Sequence, residues 1–211
     1  MDAWYIDLFF RWMHVLFGIT WIGLLYYFNF IQGEYFKEAE PGAKADATQK
    51  LAPRALWWFR WGAMFTFLTG VILLEVIRIR WNGYIAVGAL AGTFMFLNVW
   101  LIIWPKQKIV CGIVEGDAAA AGPKALLASR TNTLLSTLML VGMMGSQHGQ
   151  GAASYPLSQG LSTGLIAALA LVVLLELNAI FGKIGPMQTV RGVIHCSLAV
   201  TVVALALMLL F

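Results

Sequence analysis

The sequence predicts an all-α membrane protein: a polytopic bundle of about six transmembrane helices with both termini external. Three observations predict it. Sixty per cent of the 211 residues are apolar or aromatic and only 11% are charged, whereas a soluble domain carries about 25% charged residues. The apolar residues fall in long runs, and a helix needs about 20 of them to cross the ~30 Å of bilayer hydrocarbon. The runs are continuous rather than alternating, which argues against lipid-exposed strands. At this length the chain reads as a single integral membrane domain, residues 1–211.

The six runs are residues 5–31, 56–77, 84–104, 125–145, 160–181 and 192–211. The fourth is the least apolar, because Arg130, Thr131 and Asn132 occupy its first part. The first run does not read as a cleaved signal peptide: it has no basic region before it and no small-residue cleavage site after it. Three stretches read as non-spanning. Residues 33–53 mix acids with lysines and are broken by Pro41-Gly42. Residues 106–115 suit a short interfacial helix, and the uncharged, Gly-rich residues 147–159 suit an external loop. Trp4, Trp57, Trp58, Trp81 and Trp104 fall near run ends, as an interfacial belt would.

Basic residues set the orientation. Lys37, Lys44, Lys50 and Arg54, then Lys106, Lys108, Lys124 and Arg130, then Lys183 and Arg191 lie on one side; Arg78 and Arg80 lie on the other. The first side is expected to be cytoplasmic, in a multi-pass protein of a bacterial inner membrane. The net charge of +4 expresses this bias and is not a nucleic-acid footprint. Phe10-Arg11-Trp12 recurs as Phe59-Arg60-Trp61, but Ala63 replaces the counterpart of His14, so shared interfacial chemistry explains the echo better than duplication.

Ionisable groups inside a bilayer are costly, so each asks for a reason. The topology collects an outer group, Arg11, His14, Glu75 and His148, and an inner group, Asn98, Glu176, Asn178 and His195, with Arg60 near the same boundary. Arg11, His14, Gly18 and Trp21 are spaced by three, four and three, and share one helix face. An imidazole with a glycine one turn on suits a flat macrocycle, and His148 falls at a comparable depth. Two neutral imidazoles from different helices can hold a haem b iron, with Arg11 beside a propionate. A quinone head group or a substrate would suit the same residues. The plainer reading is an interhelical hydrogen bond at His14, close packing at Gly18 and a solvated His148. The inner group suits a proton path, a second ligand site or plain interhelical contacts. Cys111 and Cys196 give neither a disulfide nor a covalent haem motif, and no phosphate loop, zinc spacing or hydrolase elbow is present.

The segment Arg11-Trp12-Met13-His14-Val15-Leu16-Phe17-Gly18-Ile19-Thr20-Trp21-Ile22-Gly23 resembles the first helix of bacterial membrane-bound urate hydroxylases, the cytochrome c-linked urate oxidases. Three further segments agree in order: Leu51-Ala52-Pro53 with Trp58-Phe59-Arg60-Trp61, then Asn98-Val99-Trp100 through Trp104-Pro105-Lys106-Gln107-Lys108, then Ser146-Gln147-His148. The resemblance covers roughly residues 4–150. It implies oxidation of urate coupled to a C-terminal cytochrome c domain, which these 211 residues do not include, and places His14 and His148 among the motif positions. Trp57 and Gly62 stand where the family usually has a histidine and an acid, and Asn132-Thr133-Leu134-Leu135 stands for its His-Asn-Asn-Tyr stretch.

The expectation that follows is a redox-associated membrane subunit of the urate hydroxylase membrane-domain type. It would hold haem b through His14, with His148 as the second candidate ligand, and pass electrons to an external partner such as a cytochrome c. The alternative is a cofactor-free accessory subunit of a larger membrane complex. A small transporter is the third reading, which the absence of a clear inverted repeat disfavours.

Overall fold

The computed structural model describes residues 3–76 and 81–211. Arg78 and Arg80, the two basic residues assigned to the external side, lie outside the described residues. The described residues form six long helices: α1 (Trp4–Glu38), α2 (Pro41–Val76), α3 (Gly83–Val110), α4 (Ala118–His148), α5 (Thr163–Phe181) and α6 (Val190–Leu210). Five of them are long and apolar enough to cross a membrane. The sixth, α4, has 31 residues, about 46 Å of helix, and is the least apolar because of its polar middle. Among the described residues there is no strand, and one isolated bridge joins Asn82 to Pro156.

The helices run past the apolar stretches that announce them. Residues 33–53 are not a broken linker: α1 continues to Glu38 and α2 opens at Pro41, so only a short turn separates them. Pro41 begins a helix because a first-turn residue has no intrahelical use for its N–H. The glutamates and lysines beyond the membrane are good helix formers, and charges pair along the helix as Glu34–Lys37 at 2.7 Å and Asp46–Lys50. Residues 106–110 are likewise a continuation of α3 and not a separate interfacial helix. Pro105 is accommodated just after a π-widened turn, Asn98–Ile103, where the change of hydrogen-bond register leaves room for a residue without an N–H. Gln147 and His148 are the last residues of α4, and the expected loop starts only at Gly149.

Helix α4 is the centre of the bundle. It packs on α3, α5 and α6 and touches α1, while α1 and α2 lie against each other along their length. The α3–α4 crossing is set by two glycines: a Cβ on Gly142 would lie 2.6 Å from the Gly88 Cα, so only small residues let these backbones meet. The α4–α6 contact is a hydroxyl ladder. Thr137 Oγ1 lies 2.6 Å from Ser197 Oγ and 2.7 Å from Thr201 Oγ1, and Ser197 donates to the Leu134 carbonyl at 2.8 Å. The α2–α3 contact is aromatic, with Phe67 stacked on Phe96 at 4.2 Å and Trp61 edge-on to Trp100. The turn after α4 is pinned over the start of α3: Asn82 donates to the Ser146 carbonyl, Tyr84 to the Gln150 carbonyl, and Leu157 N–H to the Trp81 carbonyl.

Candidate functional sites

The outer group is divided by the fold. His14 faces α2, as its neighbours do. Its ring lies against Gly70, whose Cβ would come 3.0 Å from the His14 Cε1. Phe17 meets Phe65 with ring centroids 4.9 Å apart, and Gly18 faces Thr66. The Trp21 backbone closes on Gly62, and the Trp21 side chain is 1% exposed. The face predicted from spacing is therefore real, and α2 covers it.

His14 Nδ1 lies 3.1 Å from Thr69 Oγ1. The Thr69 hydroxyl donates to the Phe65 carbonyl at 2.6 Å, with the Thr66 carbonyl at 3.0 Å. Its one hydrogen is thus engaged, and it accepts from the imidazole. The network favours the tautomer with the proton on Nδ1 and the lone pair on Nε2. A histidine that ligates a metal is typically fixed in this way through its other nitrogen. Arg11 is held by Asp7, one helical turn earlier, at 2.6 Å. His148 ends α4 and is exposed; no hydrogen bond joins it to His14 among the described residues. Glu75 is exposed near the end of α2. The Trp21 indole N–H is buried without a hydrogen-bond partner.

The inner group divides as well. Asn98 on α3 and Glu176 on α5 come together, and Asn132 on α4, which is not in the predicted inner group, joins them. The Asn98 amide donates to Glu176 Oε2 at 2.9 Å and to Asn132 Oδ1 at 3.0 Å, and the Asn132 amide donates to the Met95 carbonyl at 2.9 Å. All three residues are buried. Asn98 opens the wide turn of α3, so Asn132 takes up a carbonyl just where the helical register changes. A similar device recurs in α1, where Asn29, in the wide turn Tyr27–Gln32, donates to the Leu25 carbonyl and to Ser129 Oγ. The sequence signal for Asn132 was the unbroken polar run Arg130–Asn132 inside an apolar span.

Asn178 and His195 belong elsewhere. Asn178 closes the end of α5, donating to the Lys183 carbonyl and accepting from the Lys183 N–H. His195 is exposed on α6. Arg60 lies over the Trp104 ring, 3.8 Å from its centroid. Among the described residues no group of three or more His, Cys, Asp or Glu side chains is placed to hold a metal ion. No protein-family model, no curated protein and no solved structure matches the chain.

Proposed function

We propose that the chain is a redox-associated subunit of a bacterial inner-membrane complex, and that His14 is the residue that holds its redox group. One observation supports the reading: His14 Nδ1 lies 3.1 Å from Thr69 Oγ1, whose own hydrogen is donated to the Phe65 carbonyl, so Thr69 orients the ring and Nε2 would be the ligand atom. The ordered resemblance to urate hydroxylase membrane domains supports it. The fit to haem b extends to this ligand and no further. Gly18 and Trp21 are packed on α2, Arg11 is already paired, and His148 is exposed. A haem iron held at His14 would supply one-electron transfer, and the chain's own contribution is the tautomer and the ring orientation that Thr69 imposes. Purified protein should carry a haem absorbance that His14→Ala removes; an unchanged spectrum in folded His14→Ala protein refutes the assignment.

A second reading has its own support. The outer half of α1 leaves Trp4, Phe9, Trp12 and Ile19 exposed, and α1 is the least buried of the five apolar spans. This face suits lipid or the helix of a partner, as in a cofactor-free accessory subunit. Colourless protein that is stable only in a larger complex favours this reading over the first.

A further inference from the structure

A buried charge is ordinarily paired, because leaving one of its donors unsatisfied in a dry interior costs several kcal/mol. Arg130 breaks that rule. It is 3% exposed, and its Nε and Nη1 are buried without a hydrogen-bond partner.

Its direction follows from register. Residues 130, 133, 134 and 137 share one stripe of α4. Three of them meet α6: Ser197 donates to the carbonyls of Thr133 and Leu134, and Thr137 bonds Ser197 and Thr201. The two helices run parallel, so Arg130 falls one turn earlier, beside the beginning of α6. Side chains on a helix lean toward its N-terminus, which carries the guanidinium toward the first turn of α6. That turn starts at Val190; Thr189 caps it, taking the Gly192 N–H on Oγ1 at 3.0 Å and the Val193 N–H on its carbonyl. The N–H groups of Val190 and Arg191 have no intrahelical acceptor, and the helix dipole makes this end positive. Arg191 and Lys183 add exposed cations at the same end. Glu34, toward the same end of α1, has its carboxylate held by Lys37 at 2.7 Å.

We propose that Arg130 and the first turn of α6 form a binding site for a phosphate-type oxyanion at the basic side of the membrane. A planar guanidinium and free backbone N–H groups are the donors that recognise such a group. The oxyanion comes from an anionic phospholipid headgroup or from free phosphate, and the experiment separates them.

Delipidated full-length protein in uncharged detergent is titrated with phosphatidylglycerol, and separately with inorganic phosphate, with bound ligand read by native mass spectrometry. Wild type is expected to bind, and Arg130→Gln to bind about ten- to a hundredfold more weakly. Glu34→Gln should bind no more weakly than wild type. Retention of phosphatidylglycerol alone identifies a headgroup site; competition by inorganic phosphate identifies a soluble oxyanion. No binding by wild type, or equal binding by Arg130→Gln, overturns the proposal. So does a strong unfolding coupling between Arg130→Gln and Glu34→Gln, which would make Glu34 the partner of Arg130. Should Arg130→Gln fail to fold, Arg130→Lys and the wild-type titration decide the question.

Discussion

Substituting Gly142 by alanine tests the packing on which every site here depends. A methyl group at this position would lie 2.6 Å from the Gly88 Cα, 2.7 Å from its nitrogen and 2.7 Å from the Tyr84 carbonyl oxygen. All three are backbone atoms and none can rotate away. To reach ordinary contact, α3 and α4 must part by about 1 Å, and overpacking of this kind costs about 1–3 kcal/mol. The parting is transmitted toward Asn98 and Asn132, whose hydrogen bond at 3.0 Å has little length to spare. Losing that bond adds about 0.5–1.5 kcal/mol. The assay is unfolding in mixed micelles followed by tryptophan fluorescence. Gly23→Ala is the control, because Gly23 lies within α1, nothing lies within 4 Å of its added Cβ and helix propensity favours alanine by about 0.8–1 kcal/mol. The expected result is a destabilised Gly142→Ala and an unchanged or stabilised Gly23→Ala. Equal stability of the two variants would refute the close α3–α4 crossing.

Other outcomes follow from the same geometry. Glu176→Gln retains an oxygen for the Asn98 amide and should cost under about 1 kcal/mol, whereas Glu176→Leu leaves that donor short of an acceptor and should cost about 1–3 kcal/mol; the same unfolding assay reads both. Thr69→Val removes the acceptor of the His14 Nδ1–H and should destabilise the α1–α2 pair by about 1–2 kcal/mol, while also altering the spectrum of any group held at His14. Cys111 lies just beyond α3 and burial pushes its thiol above the ordinary value. A raised value means less thiolate at neutral pH, so its alkylation by iodoacetamide should be slower than that of a free cysteine and should accelerate as the pH rises. An alkylation rate equal to that of a free thiol would contradict this burial.

Much of the architecture was legible because apolar runs of bilayer length have few interpretations. The helix ends were not, because composition marks where lipid stops and not where the helix does. Glu38 and Pro41 stand on either side of a turn that the charged residues 33–53 concealed. Helical spacing correctly put His14, Gly18 and Trp21 on one face, but spacing carries no information about which neighbour covers it. Here it is α2, through Gly62, Thr66, Thr69 and Gly70. The inner group was half legible. Asn98 and Glu176 are 78 residues apart in sequence, and topology alone placed them at one depth. Asn178 sits two positions after Glu176 on α5, about 200° around the helix, and its side chain serves the helix end instead. Asn132 was visible as a polar residue in an apolar span, yet its pairing with the wide turn of α3 depends on a backbone feature that no residue pattern announced.

The proposal that His14 holds a redox group is tested most directly by an oxidised-minus-reduced visible spectrum of purified wild-type protein, with pyridine extraction to identify any haem and His14→Ala measured in parallel. The expected result is a haem b signal in wild type that is lost in His14→Ala. A wild-type protein that is folded and spectrally silent, or a signal that survives the substitution, contradicts it.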